Sequence, residues 1–269
     1  MASLDGGQTG GRSAPQITVS DGVLIPDRGE ASVFSAWRIS FFGALAMMVL
    51  LPILRPDPFR EIIQFLPDGI LRTFQVTVIS ILFAAAIGLV TGLGRLSRIT
   101  IVNRIATVYV EVIRGIPLLV QLFYIYFALG RFLDIDRMVA AIAAMSICYG
   151  AYMGEIFRAG IQAVPKGQME AALALGMNRS KALRLVILPQ TIRIILPPIG
   201  NEFIALLKDS SLVSIVAVSD LLRRGREYAA TTFLYFETYT MVALIYLVFT
   251  LFFSKVVAIM EERLTPGGR

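Results

Sequence analysis

Six apolar runs, at approximately 34–54, 70–94, 108–130, 138–161, 191–217 and 235–258, restrict this chain to very few folds. Each is close to the roughly 20 residues that let an α-helix cross about 30 Å of hydrocarbon. The chain is therefore expected to be all-α, a polytopic membrane helical bundle. Charged residues make up 16% of it, against about 25% in ordinary soluble domains, and the mean hydropathy is +0.72. A water-soluble globule is excluded. The first run begins more than thirty residues in and ends in Leu51-Pro52-Ile53-Leu54 rather than at a small-residue cleavage site. It reads as a membrane helix and not as a removed signal peptide.

Lys and Arg exceed Asp and Glu by 25 to 19. In a membrane protein such an excess collects on the cytoplasmic side, so it bears on orientation rather than on nucleic acid. With the N-terminus inside, the tail, the 95–104 and 158–193 connections and the C-terminus hold fourteen Lys and Arg, against seven on the other side. Both termini are expected in the cytoplasm, and residues 1–33, poor in large apolar side chains, are expected to form a disordered cytoplasmic tail. The group Arg223-Arg224-Gly225-Arg226 runs against this trend. A short amphipathic helix held against the protein would accommodate it. The chain has no histidine, which removes His-ligated metals and Ser-His-Asp triads. No metal site and no catalytic residue are expected, and Cys148, in an apolar stretch, reads as an inert buried thiol.

The longest connection on the inner side, 162–190, has structure of its own. Pro165 suits a helix start, where its missing N–H is not needed. Met169, Ala172, Leu173 and Gly176 follow at i, i+3, i+4 and i+7, one face of a short helix closed by a residue able to take the left-handed conformation. Ser180 is expected to cap a second short helix that ends at Pro189. Glu170-Ala171-Ala172 offers a low-relief surface for another backbone; an amphipathic helix lying on lipid headgroups is the plainer alternative.

The pattern Glu170-Ala171-Ala172, Gly176, Val186-Ile187-Leu188-Pro189 resembles the EAA loop of ATP-binding-cassette importer permeases, with Val186 where that loop has Ile. Arg114-Gly115-Ile116-Pro117 and the Asn201-Glu202-Phe203 to Lys208-Asp209-Ser210-Ser211-Leu212 stretch are similar to the polar amino acid (histidine, glutamine, arginine) subfamily. The resemblance covers roughly 65–265. It implies a MetI-like type I importer fold with five core transmembrane helices, to which 34–54 adds one extra N-terminal helix. It further implies that Glu170, Ala171, Ala172, Gly176, Leu188 and Pro189 couple this chain to a cytoplasmic ATPase. The implied partners are two ATP-binding subunits that carry ATP and Mg, a second permease chain identical or similar to this one, and an external substrate-binding protein. The implied location is the inner membrane of a prokaryote and the implied cargo a polar amino acid. No G-x-x-x-x-G-K-[ST] phosphate loop occurs in the sequence, so no cofactor is expected in this chain.

Ionisable groups inside hydrocarbon normally face a cavity or a partner. Glu155 has Arg158 one turn away, while Asn201 and Glu202 precede Lys208 and Asp209 by seven residues. Fixed charges of both signs suit a zwitterionic ligand, which makes Glu155, Asn201, Glu202, Lys208 and Asp209 candidates for a substrate pathway. The plainer alternative is that they pair locally or hold subunits together. Arg114-Gly115-Ile116-Pro117 reads as a kink, with Arg114 free to reach the interface or the released carbonyls. Tyr235, Tyr239 and Tyr246 in the last run are candidate interface anchors. An ion-coupled secondary transporter or channel using the buried carboxylates is the competing function. It leaves the structured 162–190 loop without a purpose. Cationic, acidic, neutral and opine-like cargoes all remain open.

Overall fold

The computed structural model describes residues 35–264, and the tail expected at 1–33 lies outside them. The helices are α1 (Ala36–Leu54), α2 (Pro56–Phe65), α3 (Pro67–Arg95), α4 (Thr100–Gly115), α5 (Leu118–Leu133), α6 (Arg137–Ala163), α7 (Lys166–Ala174), α8 (Arg179–Ala182), α9 (Leu188–Asp209), α10 (Leu221–Thr232) and α11 (Tyr235–Leu264). No strand occurs among the described residues. Helices α1, α3, α6, α9 with its extensions, and α11 are long and apolar enough to cross a membrane. The halves of the bent pair α4–α5 are long and apolar enough only when taken together, which makes six crossings if the pair is one span.

The kink expected at Arg114-Gly115-Ile116-Pro117 lies where the sequence places it and is sharp: the two halves of the run at 108–130 meet at 101°. Pro117 has no N–H to donate and disfavours a helical Ile116, which is extended (φ −107°, ψ 129°). The carbonyls released at the break are taken by one side chain. Gln121 Nε2 donates to the Ile113 and Ile116 oxygens, at 2.8 Å each. Arg114 does not take the released carbonyls; its guanidinium lies 5.0 Å above the Tyr152 ring.

The centre of the bundle is the contact of α3 with α6, where small residues let two backbones approach. A Cβ added at Gly92 would stand 2.8 Å from the Gly154 carbonyl oxygen. At the end of this contact the Glu155 carboxylate bridges Arg95 of α3 and Arg158 of its own helix. Helix α1 lies against α11, where Trp37 Nε1 donates to the Leu251 oxygen at 3.0 Å.

At the opposite end α10 is the expected short helix held against the protein. The fully buried Asp220 accepts from the Leu222 and Arg223 N–H groups at 3.2 and 3.0 Å, and Leu221 N–H donates to Thr73 Oγ1 at 3.1 Å. Burial pushes the Asp220 carboxyl up to about 6, against these hydrogen bonds, which favour its charged form. Arg223 pairs with Glu227 at 2.9 Å, and the Arg224 guanidinium sits 4.0 Å over the Phe65 ring. Tyr246, expected at the interface, instead turns inward and donates to Asp220 at 3.4 Å.

Candidate functional site

Between α6 and α9, the chain forms a hairpin of α7 and α8. Gly176 (φ +80°) closes α7: its N–H donates to the Leu173 oxygen at 3.0 Å and that of Met177 to the Ala172 oxygen at 3.2 Å. This double closure is the helix end that the glycine predicts. Of Glu170-Ala171-Ala172 only Ala172 turns inward, buried, while Glu170 and Ala171 are exposed; further along the pattern Ile187 is also buried. Leu175 is 81% exposed, and Leu173, Leu183, Leu185 and Leu188 also face outward.

Two local expectations need correction. Asn178, not Ser180, caps α8, its Oδ1 accepting from Lys181 N–H at 2.8 Å. The helix does not stop at Pro189; it passes through a wide π turn, Leu183–Ile187, into α9. A wider turn directly before a proline carries the chain past a residue with no N–H to give.

A cavity of about 540 Å³ opens where the α4–α5 break meets α6 and α9. Arg114, Tyr149, Tyr152, Glu202 and Asp209 line it together with Cys148, the thiol expected to be buried. Tyr149 donates its hydroxyl to Asp209 Oδ2 at 2.8 Å. Glu202 makes no hydrogen bond among the described residues, and Arg114 no ion pair.

The structure therefore divides the five candidate pathway residues. Glu202 and Asp209, two turns apart on α9, come together at the cavity. Asn201 and Lys208 are exposed on the neighbouring face of α9 and do not line it. Glu155 is occupied by two arginines, with Arg158 Nε at 3.1 Å, and stays outside it. Tyr149 and Tyr152 are new, as is the placing of Arg114. Their signal in the sequence is faint: two tyrosines one turn apart in an Ala- and Gly-rich span.

Residues 84–266 match the family model described as binding-protein-dependent transport system inner membrane component. The glutamine transport system permease protein GlnP of Escherichia coli (strain K12) is 40% identical over 205 residues, which are 75% of this chain and 94% of that protein. The arginine transport system permease protein ArtQ of Bacillus subtilis (strain 168) is 37% identical over 204 residues, 75% of this chain and 93% of that one. The L-cystine transport system permease protein TcyB of the same organism is 40% identical over 205 residues, 74% and 86%. A crystal structure of an amino acid ABC transporter with histidines superimposes with a TM-score of 0.71 at 43% identity, covering 74% of this chain and 94% of that one. The inward-facing MetNI methionine ABC transporter has a TM-score of 0.64 at 20% identity over 75% and 97%, a likeness of fold.

Proposed function

We propose, from the premise that this chain belongs to the family of binding-protein-dependent transport system inner membrane components and is the permease subunit of an ATP-binding-cassette importer, that it carries a polar amino acid into the cell through the cavity beside Glu202 and Asp209. The observation that carries this reading is a charged cavity, open on one side, between apolar helices at the α4–α5 break. Such charges are retained in a membrane where they meet a solute. The relatives are named for glutamine, cystine and arginine systems, so likeness alone supports no narrower cargo than a polar amino acid.

The hairpin is the coupling element. Glu170, Ala171, Ala172 and Gly176, with Leu188 and Pro189 behind them, present a closed helix to a groove in a separate ATPase, which binds ATP and Mg. Two such ATPase subunits, a second permease chain and an external binding protein complete the importer. Asn201 and Lys208, exposed on an apolar span, support a second chain or an aqueous path along that face. The protein is a multi-pass inner-membrane protein, and the basic residues gathered at the hairpin end support cytoplasmic termini. Helix α1, in the stretch 34–54, is an addition in front of the five-helix core, and 65–265 is the permease domain.

Reconstitution with the ATPase subunits and the binding protein tests the reading. Uptake is expected to require ATP. Glu170→Trp should leave ATP hydrolysis running without uptake, and Glu202→Gln should abolish uptake in a complex that still assembles. Uptake driven by a proton gradient without ATP would overturn the proposal.

A further inference from the structure

We infer that the cavity selects amino acids whose side chain carries a second positive charge, an inference that rests on reading this cavity as part of the substrate path. Its walls hold one fixed cation, Arg114, and two carboxylates, Glu202 and Asp209. Among the described residues no other cation lines it. Lys208 faces away from the cavity, and Arg95 and Arg158 are both engaged by Glu155.

An α-amino acid brings one carboxylate and one ammonium. Arg114 has five N–H donors, lies over the Tyr152 ring face within electrostatic reach of Glu202, and forms no ion pair among the described residues, so its donors are open to a carboxylate. Glu202 has no hydrogen-bond donor among the described residues and is open to the ammonium. With those two charges answered, Asp209 remains. Its Oδ2 accepts from Tyr149, and Oδ1 has no donor among the described residues. A neutral side chain entering here displaces water from that carboxylate without replacing its hydrogen bonds, and an acidic one adds repulsion. A guanidinium or ammonium supplies both donors and charge, and the tyrosine rings give it faces to lie on. The volume, about 540 Å³, admits a long side chain with some water.

Because an external binding protein makes its own selection, the test omits it. Equilibrium binding of radiolabelled L-arginine and L-glutamine is measured on the permease–ATPase complex in nanodiscs. Arginine should bind at least about tenfold more tightly, the discrimination expected of one charge-assisted hydrogen-bonded contact. Asp209→Asn should reduce that ratio to about threefold or less, and Asp209→Glu should restore it, which separates charge from folding damage. Glutamine binding equal to arginine, or an unchanged ratio in Asp209→Asn, would overturn the charge inference while leaving the cavity as the path. If Arg114→Gln and Glu202→Gln both retain full binding of both amino acids, the path reading fails, and the inference fails with it.

Discussion

Two short helical segments stand outside the bundle at its opposite ends, and they are held in contrasting ways. Helix α10 commits its polar groups to its own chain: Asp220 is buried under it, Leu221 is bonded to Thr73, and Arg223 and Arg224 are paired with Glu227. The α7–α8 hairpin is joined to α9 by the Gln190–Gln168 contact at 3.3 Å and leaves Glu170, Leu173, Leu175 and Leu185 facing out. A helix whose bonds are all internal moves with the body that holds it. One that shows leucines to water is incomplete until another protein covers them. On the coupling role proposed for the hairpin, the same contrast separates a permanent part of the permease from the part that would receive motion.

Breaking the hairpin side should have the largest effect. Leu175→Asp leaves the lone permease as stable as before, because that side chain is 81% exposed. At a docking surface it should cost about 2 kcal/mol, or about 30-fold in affinity for the ATPase subunit. Titration of the labelled ATPase subunit onto nanodisc permease measures this. Unchanged affinity would remove the hairpin from the coupling role.

The α10 side is sharpened by pH. Asp220 holds its proton more tightly when folded, at about 6, than in its ordinary state at 3.8. Its contribution to stability is therefore fully present below about pH 4 and is lost as pH rises through 6. Between about pH 4.5 and 7.5 the loss should approach about 2 kcal/mol. Other carboxylates titrate too, so the readout is the difference in melting between the protein and Asp220→Asn across that range. Parallel curves would show that the buried carboxyl is not carrying the slope.

A smaller effect belongs to Arg224, whose guanidinium lies on Phe65 and pairs with Glu227 at 3.3 Å. Arg224→Ala should cost about 1 kcal/mol, mostly through lost stacking, since partly exposed ion pairs contribute little. Arg224→Lys should recover less than half of that in the melting temperature, because an ammonium lacks the flat face. Full recovery would assign the contact to charge alone.

Much of this arrangement was legible in the sequence because it follows from short-range physics. Run length gave the crossings, Gly115 and Pro117 gave the break, and Gly176 gave the end of α7. Helical period also paired Glu202 with Asp209 and Asn201 with Lys208, since seven residues is close to two turns. It could not say which pair faces the cavity, because neighbouring positions differ by about 100° and only the packing of α4 and α6 chooses between them. Glu155 was legible with Arg158 at i+3 but not with Arg95, sixty residues away. Gln121 went unnoticed for a related reason: its value appears only once Pro117 has released two carbonyls for it to bond.

The smallest effect compares like with like, since each segment begins with a capping side chain. Asn178 caps α8 by accepting from Lys181 N–H, and Asp220 caps α10 from beneath. Loss of such a cap costs about 1 kcal/mol, but where that cost is felt depends on what else the residue holds. Asn178 is exposed and serves α8 alone, so Asn178→Ala should speed amide exchange over residues 179–182 and leave the global melting temperature in place. Ser180→Ala, two residues later and without a cap bond, should change neither. Asp220 also meets Tyr246 of α11, so cap loss there cannot stay local, and Asp220→Ala should move the melting temperature of the whole bundle. Equal, purely local effects at both caps would mean that α10 is no more firmly held than the hairpin, and the contrast between a fixed end and a receptive end would fail.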